Sequence, residues 1–232
     1  MTCSRLSSCP RVADPISSAR MNEDRPLDPS YHKARFQQSA YSLAQLPSDS
    51  GAEVAFAGRS NTGKSSAINA LTGARQLART SKAPGRTQQI VLFQLDENRR
   101  LVDLPGYGYA KVPAALKKHW GNLIPAYLDS RRSLVGVVLI VDIRHLLKPM
   151  DEQMLALCHQ ASLPTHVLLA KADKLSKGSC AAAEQKMRST CKDLGSMFSM
   201  QQFSAPKRLG VEQLTAVLDA WFATHRAPPS RN

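Results

Sequence analysis

Gly58-Arg59-Ser60-Asn61-Thr62-Gly63-Lys64-Ser65 follows the apolar run Val54-Ala55-Phe56-Ala57 and leads into Ser66-Ala67-Ile68-Asn69-Ala70-Leu71. A buried strand, a glycine-bounded loop and a helix start thus stand in one line. Glycine at both ends lets the backbone of Arg59, Ser60, Asn61 and Thr62 wrap an anion. The loop amides and the positive end of the helix then stabilise phosphate. Lys64 is placed to reach the β and γ oxygens of a nucleoside triphosphate, and the Ser65 hydroxyl to bind Mg²⁺.

Around this loop, the 232 residues suffice for one α/β domain with a full core and a short extension. The chain is 43% hydrophobic and 21% charged. No apolar run approaches the roughly 18 residues that mark a membrane span, so a soluble, cytoplasmic protein is expected. Five cysteines, at positions 3, 9, 158, 180 and 191, form an odd set without a C-x-x-C pair. They argue against a disulfide framework and against a zinc site. A net charge of +13 and a pI near 9.9 suggest a polyanionic partner, nucleic acid first. The basic residues cluster: Arg75, Arg79, Lys82 and Arg86, then Lys117, Lys118, Arg131 and Arg132, then Lys174, Lys177, Lys186, Arg188 and Lys192. Residues 1–30, rich in Ser, Pro and Arg, read as a disordered extension, whose first twenty residues faintly resemble a transit peptide. Met21 offers an alternative start. The domain is expected over 31–226, with a disordered tail at 227–232.

Ile90–Leu95 and Arg99–Leu104, joined by Asp96-Glu97-Asn98, read as an antiparallel hairpin. A helix is expected within 113–130. The unalternating run Leu134–Val141 suits a central parallel strand, and Pro149 suits the first turn of the next helix. Val167–Ala170 reads as a further buried strand, 180–193 as a helix and Met197–Phe203 as a last strand. Val211, Leu214, Leu218, Trp221 and Phe222 mark the core face of a final helix. Strands alternating with helices behind a phosphate loop predict a doubly wound α/β sheet with its ligand at the carboxyl ends of the strands.

Three further segments fall at such ends. Asp103-Leu104-Pro105-Gly106 closes the third predicted strand; its carboxylate can hold a Mg²⁺-bound water and its Gly106 N–H can approach a γ-phosphate. Ala170-Lys171-Ala172-Asp173 follows the fifth. Asp173 can accept from guanine N1–H and N2–H₂ together, whereas adenine would present an unprotonated N1 to the carboxylate. Lys171 would lay its stem along the base. Phe203-Ser204-Ala205 can offer backbone N–H to guanine O6. Between the phosphate loop and the hairpin lies Pro84-Gly85-Arg86-Thr87-Gln88-Gln89, whose Thr87 is a natural second hydroxyl ligand for Mg²⁺.

Together these residues resemble the EngB (YihA/YsxC-like) family of GTP-binding proteins, within the translation-factor-related class of GTPases. The resemblance rests on Glu53–Asn61, Pro84–Gln88, Asp103-Leu104-Pro105-Gly106-Tyr107-Gly108-Tyr109-Ala110 and Val141-Asp142-Ile143-Arg144, and spans about residues 30–225. It implies a Ras-like P-loop GTPase domain, a mostly parallel six-stranded sheet with helices on both faces. It also implies a role in assembly of the large ribosomal subunit and in normal division septum formation. No membrane partner and no stable homo-oligomer are implied. One departure stands out: Ala170 occupies a position usually held by Thr or Asn. Its missing side chain is expected to remove a link to the phosphate loop and to weaken nucleotide affinity.

Hydrolysis of GTP is mainly positioning and charge stabilisation, for which Lys64, Thr87 and Gly106 are the candidates. The residue after Gly106 commonly orients water as Gln. Here it is Tyr107, so slow intrinsic turnover is expected. Asn61 resembles the residue that holds K⁺ in potassium-stimulated relatives, which predicts faster hydrolysis in KCl than in NaCl. Two other functions fit the same residues: an RNA-binding assembly factor with GTP as a structural ligand, and a Walker-type small-molecule kinase. Asp173 and the short chain speak against the kinase.

Overall fold

The computed structural model describes residues 29–78, 89–108 and 114–224. The stretches 1–28 and 225–232, and with them most of the expected extension and the expected tail, lie outside the described residues. In chain order the elements are α1 (Pro29–His32), β1 (Arg35–Ala40), β2 (Ala52–Gly58), α2 (Lys64–Thr72), β3 (Ile90–Gln94), β4 (Arg99–Asp103), α3 (Ala114–Ser130), β5 (Leu134–Asp142), α4 (Pro149–Gln160), β6 (Thr165–Ala170), α5 (Lys177–Thr190), β7 (Phe198–Gln202) and α6 (Val211–Thr224).

One sheet takes the order β1-β3-β4-β2-β5-β6-β7. Pairs β2–β4, β2–β5, β5–β6 and β6–β7 are parallel; β1–β3 and β3–β4 are antiparallel. The expected hairpin is therefore present, its turn closed by Asp96, whose carboxylate accepts from the N–H groups of Asn98 and Arg99. The sheet has seven strands rather than the expected six. The additional one, β1, reads Arg-Phe-Gln-Gln-Ser-Ala and lies on an edge with a bulge between Phe36 and Gln38. A strand with one neighbour and a largely solvated face needs no apolar alternation, which is why its residues carry no strand signature.

β5 is buried on both faces, and its side chains divide accordingly. Val137, Leu139 and Val141 join the core beneath α3, α4 and α5, while Val138 and Ile140 join the core beneath α2 and α6. This two-sided burial explains the absence of period-two patterning along the strand. Pro149 stands at the start of α4 as expected. α5 begins earlier than the expected 180, because the Ser176 hydroxyl caps it by accepting from Ser179 N–H at 3.2 Å.

A buried ion cluster braces the amino end of β2. Glu53, with no exposed surface, accepts from Arg131 Nη2 at 2.6 Å, from Tyr127 Oη at 3.0 Å and from Arg100 Nη1 at 3.4 Å. Cys158, Cys180 and Cys191 are unpaired and buried, and burial pushes the Cys158 thiol up to about 11. Among the described residues no helix is long and apolar enough to cross a membrane.

Candidate functional site

β2 is buried along its whole length and delivers the chain to Gly58 at its carboxyl end. The loop then folds on itself, Thr62 donating from both N–H and Oγ1 to Arg59 O, at 3.2 and 2.8 Å. Asn61 (φ 66°) and Gly63 (φ 115°) lie in the left-handed region, the backbone habit of loops whose amides converge on an anion. α2 opens at Lys64, directly after Gly63, with Ser65 half-buried in its first turn.

The sheet register places the second segment beside the first. β2 and β4 pair in parallel with Phe56 opposite Asp103, and Leu104 N–H donates to Phe56 O at 3.0 Å. Two strand ends are thereby brought level, and Lys64 Nζ donates to Asp103 Oδ1 in a buried ion pair. Beyond Pro105 the chain continues along the phosphate loop. Ser60 N–H donates to Tyr107 O at 2.9 Å, Ser60 Oγ to Gly106 O at 3.3 Å, and Arg59 and Tyr107 form a parallel bridge. Tyr107 does not face this loop with its ring. Its hydroxyl donates to Asp151 Oδ1 at 3.0 Å, and burial, with the Asp151 carboxylate beside it, raises the phenol well above its ordinary value of 10.0.

The segment expected to meet the base hangs from β6. Ala170 ends the strand, Lys171 takes a left-handed conformation (φ 64°), and Ala172–Lys174 forms a short turn of helix. Ala172 N–H donates to Phe203 O at 3.1 Å and Phe203 N–H to Leu169 O at 3.0 Å, which joins this segment to the one after β7. Asp173 Oδ1 accepts from Ser204 Oγ at 2.6 Å. That hydrogen bond, with Lys174 nearby, holds the carboxyl below its ordinary 3.8. Asp173 is thus an ionised acceptor near neutral pH. Ser204 N–H donates to Leu209 O at 3.1 Å, so two of the three N–H groups expected to serve guanine O6, those of Phe203 and Ser204, are bonded within the fold.

Ala170 was expected to cost one link between this segment and the phosphate loop, and its methyl group makes none; a different residue supplies a link. Lys171 Nζ makes the link, donating to Asn61 O at 2.7 Å. Lys171 is itself oriented by Asp142 at the end of β5, whose Oδ2 lies 2.9 Å from Nζ. Burial opposes the charge on Asp142, but hydrogen bonds from Arg144 and Lys171 outweigh it and hold the carboxyl well below the usual range. The two loops are thus joined through Lys171, beside an alanine that contributes no polar side chain. Asp142 and Asp151 were not among the residues singled out from sequence. The signal for Asp142 was the string Val141–Arg144, which carried no role of its own.

Of the remaining candidates, Gln89 is exposed at the bend before β3, and Gly85, Arg86, Thr87 and Gln88 lie outside the described residues. Among the described residues no cluster of three or more His, Cys, Asp or Glu could hold a metal ion. The oxygen donors at the loop are instead the Ser65 hydroxyl and the Asp103 carboxylate. This sparse, hard set suits Mg²⁺, which keeps several waters and shares its sphere with substrate phosphates.

Residues 53–171 match the family model described as 50S ribosome-binding GTPase. The chain is 56% identical over 191 residues to the probable GTP-binding protein EngB of Nitrosococcus oceani, covering 82% of this chain and 96% of that one. It is 48% identical over 194 residues to the protein of the same name from Coxiella burnetii, covering 84% and 95%. Among solved structures, that of a probable GTP-binding protein EngB superposes with a TM-score of 0.61 at 23% identity, over 75% of this chain and all of that one. Identity of 48–56% along nearly the full length of these relatives, with the matching family model, places the chain in the EngB family of GTP-binding proteins.

Proposed function

We propose that this chain is a slow GTP-operated switch in the cytoplasm. In its GTP form it docks through basic surfaces on the large ribosomal subunit or its rRNA. It thereby serves assembly of that subunit and, downstream, normal division septum formation. Hydrolysis resets the switch. The observation that carries the slow rate is the burial of Tyr107: its hydroxyl is bonded to Asp151, so the residue after Gly106 has no group with which to orient an attacking water.

Asp173 and Lys171 select and hold the guanine base, with Ala205 N–H assigned to O6. The phosphate loop from Gly58 to Ser65 wraps the phosphates. Lys64 exchanges Asp103 for phosphate oxygens, which releases the Asp103 carboxylate toward a metal-bound water. Ser65 and Thr87 would hold Mg²⁺, which would supply positive charge beside the phosphates. Asn61 would place K⁺ where an arginine finger otherwise acts. The net charge of +13 supports an RNA partner, and phosphate contacts of that kind make binding fall steeply with salt.

The test is cosedimentation with large subunits in GDP and in a nonhydrolysable GTP analogue, repeated with Asp173→Asn. Binding is expected with the GTP analogue and not with GDP. The variant should lose this response and regain it with the xanthosine analogue, whose C2 carbonyl accepts from the new amide. Equal binding in GDP and analogue would refute the switch and favour the RNA-binding factor with structural GTP.

A further inference from the structure

Asp151 lies at the third position of α4, remote in sequence from every segment expected to touch nucleotide, yet it is fully buried. A carboxylate at that position ordinarily caps its own helix in solvent. Here the cap is one contact of three. Oδ2 accepts from Lys148 N–H at 3.1 Å and from Arg59 Nε at 2.9 Å, while Oδ1 accepts from Tyr107 Oη at 3.0 Å. One buried carboxylate therefore joins the start of α4, the first residue after Gly58 and the first residue after Gly106.

The backbone is tied at the same place. Arg59 and Tyr107 are bridge partners, and the Arg59 side chain lies across Gly108, where a Cβ would come within 3.2 Å of its Cγ and Cδ. Tyr107 contributes both its carbonyl, to Ser60, and its hydroxyl, to Asp151, so the segment after Asp103 is pinned at both faces of one residue. We infer that Asp151 is a positioning residue for GTP hydrolysis: through Arg59 and Tyr107 it sets the register of Gly106 against the phosphate loop. It touches neither base nor phosphate-binding atoms, and it acts by limiting how far Gly106 can drift from the γ-phosphoryl group.

The inference rests on hydrolysis of GTP by this chain, and the test separates the two. Single-turnover hydrolysis with Mg²⁺, affinity for fluorescent GDP and thermal unfolding are measured on the full chain and on Asp151→Asn, Tyr107→Phe and the double variant. A small misplacement near the reacting atoms has a large kinetic effect, so Asp151→Asn should lower kcat about tenfold while GDP affinity changes by less than about twofold. Tyr107→Phe, which deletes one hydroxyl, should lower kcat about threefold. The double variant should lose less than the product of the single losses, because both changes act on one hydrogen bond. Wild-type kcat in Tyr107→Phe, fully multiplicative losses, or GDP affinity falling in step with rate would overturn the role. If Asp151→Asn fails to fold, Tyr107→Phe carries the test alone. Absence of hydrolysis in the unmodified chain would instead remove the reading on which the inference stands.

Discussion

Acidification from pH 7 to pH 5 should weaken this protein by about 2 kcal/mol, and one buried histidine accounts for the effect. His166 on β6 is 1% exposed, with Nε2 2.9 Å from Gln201 Oε1 and Nδ1 2.7 Å from Ser199 Oγ. A neutral imidazole satisfies both partners, donating from Nε2 to the amide oxygen and accepting at Nδ1 from the hydroxyl. The Gln201 amide in turn donates to Gly210 O at 2.6 Å, so the network reaches the start of α6. Burial lowers His166 from 6.5 to about 4, partly offset by the hydrogen bond to Gln201.

The sign follows from proton counting. Between those two values the unfolded chain holds a proton on this ring and the folded chain does not, so stability is complete above 6.5 and is lost as pH falls toward 4. The full gap is worth about 3 kcal/mol, of which about 2 kcal/mol falls between pH 7 and pH 5. With a urea slope of about 2 kcal/mol per molar, the unfolding midpoint should drop by about 1 M over that interval. His166→Gln keeps a donor for Gln201 and removes the titration. Its absolute stability is free to differ, and the observable is the pH dependence, from which the 1 M drop should vanish. If urea titrations at the two pH values give the variant the same midpoint shift as the parent, the imidazole is not the group that titrates.

Two other perturbations probe the frame that carries the site. Gly136 on β5 has no left-handed backbone, and it is a glycine because of Trp221: a Cβ there would sit 2.5 Å from Cε3 and 2.6 Å from Cζ3 of the indole. Gly136→Ala should cost about 1–3 kcal/mol through overpacking, with a red-shifted tryptophan emission, and Trp221→Leu in the same chain should recover part of it; an unchanged urea midpoint would refute the contact. Glu53→Gln removes the countercharge of Arg100 and leaves Arg131 only the partly exposed Asp49, which should cost about 3 kcal/mol and lower Tm by about 6–12 °C. Because Glu53 lies roughly 17 Å along β2 from Gly58, GDP affinity should be retained once the variant is folded, and a parallel loss would tie the cluster to the site.

The parts of the fold legible in sequence were those whose signal is local. The strand, loop and helix around Gly58–Ser65 occupy consecutive residues, and the hairpin announces itself by its own turn. β1 was illegible because Arg35, Phe36 and Ser39 are solvated, and an edge strand satisfies its pairing without an apolar face. The ties that organise the site were illegible for another reason. Arg59 meets Asp151 across 92 positions and Lys171 meets Asn61 across 110, and no periodicity spans such distances. Reading Ala170 in isolation accordingly left out the link that its neighbour Lys171 makes to the phosphate loop.

Sheet register supplies what the local patterns lack. Gly58 pairs with Ile140, Ile140 with Leu168, and two residues further on Asp142 pairs with Ala170. Phe56 stands opposite Asp103 on the other side of β2. Four strands therefore end within a residue or two of one another along one edge. Each loop leaving that edge begins within side-chain reach of the next: Lys64 from Asp103, Asn61 O from Lys171, Lys171 from Asp142. A one-residue slip between any two of these strands would reverse which face each side chain meets. The parallel ladders β2–β4, β2–β5 and β5–β6 hold that register, and with it the spacing between the groups proposed to grip phosphate and those proposed to select the base.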